Sequence, residues 1–129
     1  MGARKRGRKA GAVNEGSMQI ETRVDDGVLI LTPLDHRIEA YLATAFRSAL
    51  VDRIDAGARQ ITIDLHRVDY IDSAGIGALV SALKRIGQHG QLRIARPRPA
   101  VRSLLELTRL NRVIPIVDTV AAEAPVAAN

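Results

Sequence analysis

The residues of this 129-residue chain best placed to do chemistry lie in Asp72-Ser73-Ala74-Gly75-Ile76-Gly77, where the apolar approach of Val68 to Ile71 ends in an acid, a hydroxyl and two closely spaced glycines. Asp72 and Ser73 are both of the type that caps a helix, because a side-chain oxygen can accept from an unpaired amide of the first turn. A cap alone does not explain the glycines, each of which costs up to about 1 kcal/mol relative to alanine inside a helix. Two readings stand open. One is close approach of another molecule, or a phosphate held by exposed amides at the positive end of the helix. The other is tight packing of the helix on a sheet.

Catalytic arrangements are not found around this serine. Ser-Ala-Gly-Ile-Gly lacks the lysine of a P-loop and the spacing of a dinucleotide fingerprint. Ser73 follows an aspartate instead of sitting inside Gly-x-Ser-x-Gly. His36, His66 and His89 are scattered and show no His-x-x-x-His spacing, and His66, the nearest of them, lies in the turn before the motif. Asp25-Asp26 is accounted for by a turn, and Asp52 with Asp55 by the exposed face of a helix. The expectation is a protein that is not an enzyme and holds no metal. A phosphate on Ser73 would add about −1.5 to −2 charges where the helix amides can still accommodate it. A partner docked there through carboxylates or an apolar patch would be repelled, so the chemistry is that of a switch.

The elements that must position this serine follow from periodicity. Ile20, Thr22 and Val24 alternate with polar residues, Asp26-Gly27 supplies a hairpin turn, and residues 28–32 form a second strand. Leu42, Ala45, Phe46, Ala49, Leu50 and Ile54 recur at helical spacing from Ala40 to about Ala56, before Gly57. Ile61, Ile63 and Leu65 make a β-branched strand that enters the motif, and Ile76, Leu79, Val80, Leu83 and Ile86 mark the helix after it. Residues 91–95 read as a strand, Val101 to Thr108 as a third helix, Pro115 to Val117 as a last strand, and the Ala-rich stretch from Thr119 as a terminal helix of low stability. The order β-β-α-β-α-β-α-β predicts an α/β fold: a mixed, mainly parallel sheet with an N-terminal hairpin, flanked by helices.

Composition narrows the function classes. There is no cysteine, which excludes disulfides and thiolate chemistry and fits a reducing compartment. Aromatic content is 2%, which argues against stacking platforms for bases. No apolar run reaches the roughly 20 residues of a membrane span. The net charge of +5 is uneven: Arg4, Lys5, Arg6, Arg8 and Lys9 against Glu15 give residues 1–17 a charge of +4, and 14 basic against 13 acidic residues leave +1 for the rest. Residues 1–17 are therefore expected to be a disordered basic tail, a leader or an extension ahead of a true start at Met18. Residues 18–122 are expected to form one domain, and residues 123–129 a flexible end.

The stretch Val68-Asp-Tyr-Ile-Asp-Ser-Ala-Gly-Ile-Gly-Ala-Leu resembles the signature of the STAS domain of bacterial anti-sigma factor antagonists. The likeness runs from about Gln19 to about Ala122, through Ile61-Thr-Ile-Asp-Leu and the later stretch from Pro99 to Ile116. The resemblance implies a non-enzymatic, cytoplasmic regulator of transcription without a cofactor of its own. It implies that Ser73 is phosphorylated by an anti-sigma factor serine kinase of the GHKL type, which supplies the ATP and Mg, and dephosphorylated by a PP2C-type phosphatase. The unphosphorylated form would bind the kinase and free its sigma factor or other client; the phosphorylated form would not. Asp72, Ala74, Gly75, Ile76 and Gly77 would form the partner surface, with neither DNA nor membrane bound directly.

Two departures from the family pattern bear on the site. Ala74 stands where relatives often carry a second Ser or Thr, so Ser73 is the sole acceptor at that spot. His36-Arg37-Ile38-Glu39-Ala40 occupies the loop that usually reads Gly-Arg-Leu-Asp-Ala, which assigns its acidic role to Glu39 first and Asp35 second. The competing readings are a binding module without phospho-switching, as a stress-complex scaffold or the small subunit of a lipid-transport ATPase, and nucleic-acid binding through the basic tail.

Overall fold

A computed structural model describes residues 11–15 and 18–120. Its central sheet has six strands: β1 (Gly11–Glu15), β2 (Met18–Asp25), β3 (Val28–Pro33), β5 (Gln60–Asp64), β7 (Gln91–Ala95) and β8 (Ile116–Val117), in the spatial order β1-β2-β3-β5-β7-β8. The hairpin β2–β3 pairs Asp25 with Val28 around Asp26 and Gly27, whose φ angles are both positive, at 56° and 85°. This is the two-residue turn that matches the twist of antiparallel strands and that Asp-Gly favours. From β3 onward the pairings β3–β5, β5–β7 and β7–β8 are parallel. The fold is thus the α/β arrangement of mixed sheet and N-terminal hairpin expected from the strand-helix alternation.

The helices α1 (Ala40–Asp55), α2 (Ser73–Ile86) and α3 (Pro99–Leu107) bridge the parallel strands. Every crossover steps the same way along the sheet, so right-handed connections stack the helices on one face. Their apolar stripes meet it there: Leu42, Phe46 and Leu50 of α1 and Leu79, Ala82 and Ile86 of α2 are buried with Ile61 and Ile63 of β5 and Met18 and Ile20 of β2. Each fully buried Leu or Ile of this aliphatic core contributes about 1.5–3 kcal/mol. Among the described residues no helix is long and apolar enough to cross a membrane.

Three differences from the sequence expectation have physical reasons. Two strands of two residues each, β4 (Arg37–Ile38) and β6 (Tyr70–Ile71), pair in parallel as a second small sheet; such strands are too short to carry a periodicity. Gly11–Glu15 lies inside the span read as a tail, yet it pairs antiparallel with β2, Gly11 opposite Thr22 and Glu15 opposite Met18. An edge strand of this kind is held by main-chain hydrogen bonds and needs no apolar side chains. The rest of that span, residues 1–10 and 16–17, lies outside the described residues. At the other end, Thr119 and Val120 are not helical, and the expected terminal helix and flexible end fall otherwise on residues 121–129, also outside the described residues.

Candidate functional site

The small sheet β4–β6 builds the site. Its parallel register sets Arg37 beside Tyr70 and Ile38 beside Ile71, and the amide of Asp72 donates to the Ile38 carbonyl at 3.2 Å. Each of these strands runs directly into a helix, β4 into α1 through Glu39 and β6 into α2 through Asp72. The two helix starts therefore lie side by side, with unpaired first-turn amides and positive dipole ends at the same edge of the molecule.

At the start of α2, Asp72 is the cap: its Oδ1 accepts the Gly75 amide at 3.0 Å, and its carbonyl takes the first helical bond from the Ile76 amide. Ser73 is exposed as the first helical residue, and its hydroxyl has no hydrogen-bond partner among the described residues. The division of labour is clean. Asp72 satisfies the helix end, so Ser73 is not needed as a cap and faces solvent.

The two glycines separate by environment. A Cβ on Gly75 would collide with the Ile71 side chain and stand 3.2 Å from Cγ2 of Ile38, so this glycine lets α2 sit tightly against the β4–β6 sheet. Gly77 is exposed, and a Cβ there would meet nothing within 4 Å. Internal packing explains the first glycine and not the second. Ala74 and Ile76 are half-buried, and Ile76 packs on the core while part of it stays open to solvent.

The two acidic candidates also part. Glu39 stands at the start of α1, makes no cap hydrogen bond, and takes a hydrogen bond from Arg37 Nε at 2.6 Å. Arg37 in turn lies over the Tyr70 ring, 4.4 Å from its centroid. Asp35 is engaged elsewhere: its Oδ2 accepts the Gln19 amide at 2.8 Å and ties the β3–β4 loop to β2. Of the histidines, His66 touches the buried carboxylate of Asp64 at 3.1 Å, His36 pairs with Asp69 at 3.5 Å, and His89 is exposed in the turn after α2. Among the described residues none of them bonds to Ser73.

Sequence reasoning missed two aromatics of this surface. Tyr41, in the first turn of α1, is 73% exposed, and Tyr70, in β6, is 41% exposed. They are the whole tyrosine complement of the chain, and both lie at the β4–β6 end. The available signal was composition: where aromatics are this scarce, a tyrosine inside the Asp72-Ser73 approach is not needed by an aliphatic core.

Comparison with known proteins agrees with this architecture. The model of the STAS domain matches residues 19–123. The chain belongs to the STAS family. A Bordetella bronchiseptica protein, BtrV, provisionally designated an anti-sigma factor antagonist, is 30% identical over 100 residues, covering 77% of this chain and 85% of that one. The anti-sigma F factor antagonist of Paenibacillus polymyxa is 28% identical over 106 residues, covering 79% of this STAS chain and 88% of the relative. Among solved structures, a Thermotoga maritima protein provisionally designated an anti-sigma factor antagonist superposes with a TM-score of 0.72 at 30% identity, covering 78% of this chain and 87% of its own.

Proposed function

We propose that this STAS protein is an anti-sigma factor antagonist that works as a phosphorylation-controlled binding module, with Ser73 as the phosphoacceptor. The observation that carries the reading is the exposed hydroxyl of Ser73, which has no partner among the described residues, at a helix start that Asp72 already caps. Its relatives' designations as anti-sigma factor antagonists supply the partner class. The unphosphorylated form binds an anti-sigma factor serine kinase of the GHKL type and releases its sigma factor or other client. ATP and Mg belong to that kinase, and a PP2C-type phosphatase resets the switch.

The physical basis is electrostatic and steric. The docking surface joins Ser73, the half-open Ile76, the bare backbone at Gly77, and the neighbouring Glu39 and Tyr70 across the small sheet. A phosphate on Ser73 stacks negative charge beside Asp72 and Glu39, so a partner presenting carboxylates or an apolar patch is expelled. The fold survives because α2's free amides face the new charge.

A capture experiment from the native host tests this, with Ser73→Ala and Ser73→Asp baits compared by mass spectrometry. The alanine bait should retain a GHKL-type kinase that the aspartate bait loses. Equal retention of the same partners by both, a transport ATPase or a large scaffold among them, would show a constitutive binding module instead.

A further inference from the structure

A second site stands apart from Ser73, at the end of the sheet where β5 and β7 terminate. The loop after β5 and the residues after β7 enclose a cleft of about 290 Å³ lined by His36, His66, Arg67, Asp69 and Arg98. No lining residue is apolar, and two guanidiniums face one carboxylate there, a surplus of positive charge before either imidazole is protonated. Asp69 is already engaged by Arg98 Nε at 2.9 Å and by His36 Nδ1 at 3.5 Å. Arg67 is exposed and has no ion-pair or hydrogen-bond partner among the described residues.

The walls of the cleft are held firmly. Asp64, only 3% exposed, accepts Arg96 Nη2 at 2.6 Å and Nε at 3.3 Å, and its Oδ1 also accepts the His66 amide at 3.2 Å. Arg96 adopts a left-handed φ of 53°, a conformation uncommon outside glycine and one that collects at functional sites. Arg98 Nη1 donates to the His66 carbonyl at 3.0 Å, closing the loop from the other side. A fixed frame thus surrounds a cation, Arg67, that nothing in the described structure neutralises.

From this geometry we infer that the cleft binds a small phosphate dianion, free or as a compact phosphomonoester. Arg67 supplies a free forked guanidinium suited to phosphate oxygens, and Arg98, whose Nε and Nη1 are held by Asp69 and the His66 carbonyl, adds its Nη2 from the other side. The volume exceeds a bare phosphate and leaves room for a short organic group, and no Phe, Tyr or Trp lines the cleft to hold a nucleobase. This inference is independent of the reading of Ser73.

The test is a backbone-amide NMR titration of the full chain at constant ionic strength with inorganic phosphate, methyl phosphate and AMP, chloride serving as the control anion. Saturable shifts confined to residues 36, 66–69 and 96–98 are expected with the first two, and AMP should bind no tighter than methyl phosphate. Arg67→Ala removes an exposed side chain that has no partner among the described residues, so it should fold normally and weaken binding by about tenfold or more. Arg47→Ala, on the exposed face of α1, should leave affinity unchanged. Tighter binding of methyl phosphate than of phosphate would identify a phosphomonoester as the ligand, and equal binding the free ion. Shifts that never saturate, or an Arg67→Ala variant that binds as the parent does, would overturn the proposal.

Discussion

The carboxylate of Asp72 accepts the amide of Gly75 at 3.0 Å, and the residue between them in the turn that matters most, Ser73, is left out of that bond. Capping and presentation are thereby assigned to adjacent side chains. Asp72→Ala should lower stability by about 1 kcal/mol, the usual worth of a cap, which in a domain of this size is a fall in Tm of roughly 4–8 °C. Asp72→Asn should retain most of the cap, because its side-chain oxygen still accepts. Thermal unfolding of the two variants checks this, and a similar loss in both would show that the carboxylate's charge, not its hydrogen bond, holds the helix start.

Gly75 and Gly77 should respond oppositely to alanine. Helix propensity favours both substitutions by up to about 1 kcal/mol. At Gly75 the new methyl must displace Ile71 and crowd Ile38, an overpacking that costs about 1–3 kcal/mol, so the net effect should be destabilising. Gly77→Ala meets open space and should stabilise the free protein, and on the proposed function it should weaken partner capture, because its methyl covers the backbone offered for close approach. Denaturant midpoints paired with binding measurements on the same variants separate the two effects.

Arg96 should matter through Asp64. Removing it in Arg96→Ala strips two hydrogen bonds from a carboxylate that is nearly fully buried, a loss of about 1–3 kcal/mol. Combining it with Asp64→Asn should recover part of that loss, since the stranded charge is gone. Strict additivity of the two substitutions in urea unfolding would contradict the coupling.

The acid limb of stability carries a signature of the α1–α2 contact. Arg85 donates from Nε and Nη2 to the two Asp55 oxygens at 2.7 and 2.8 Å. These hydrogen bonds, with the charges of Arg85 and Arg59 adding to them against some desolvation, hold the Asp55 carboxyl below its ordinary 3.8. A depressed carboxyl stabilises the fold at pH above its unfolded value, and that stabilisation disappears as pH falls through the lower folded value. Asp55→Asn should therefore be less stable than the parent at neutral pH and equal to it in strong acid, with the gap narrowing in high salt because the pair is exposed. Chemical denaturation across pH at two ionic strengths measures it.

What the sequence by itself determined is local. The Asp26-Gly27 hairpin, the apolar stripes of α1 and α2, and the cap at Asp72 each follow from neighbours a few residues apart, whose geometry the backbone repeats. The place of Ser73 at a helix start was legible because cap, serine and helix share one short run. Tertiary structure alone decided the rest, since it depends on contacts between segments distant along the chain. Only the pairing of β4 with β6 sets Ile38 against Gly75 and makes that glycine structural while Gly77 stays open. The same pairing brings Glu39 to the site while the bond to Gln19 withdraws Asp35 from it. The basic cleft, too, draws on residues 36, 66, 67, 69 and 98, which no spacing rule connects and which meet because parallel strands deliver their loops to one end of the sheet.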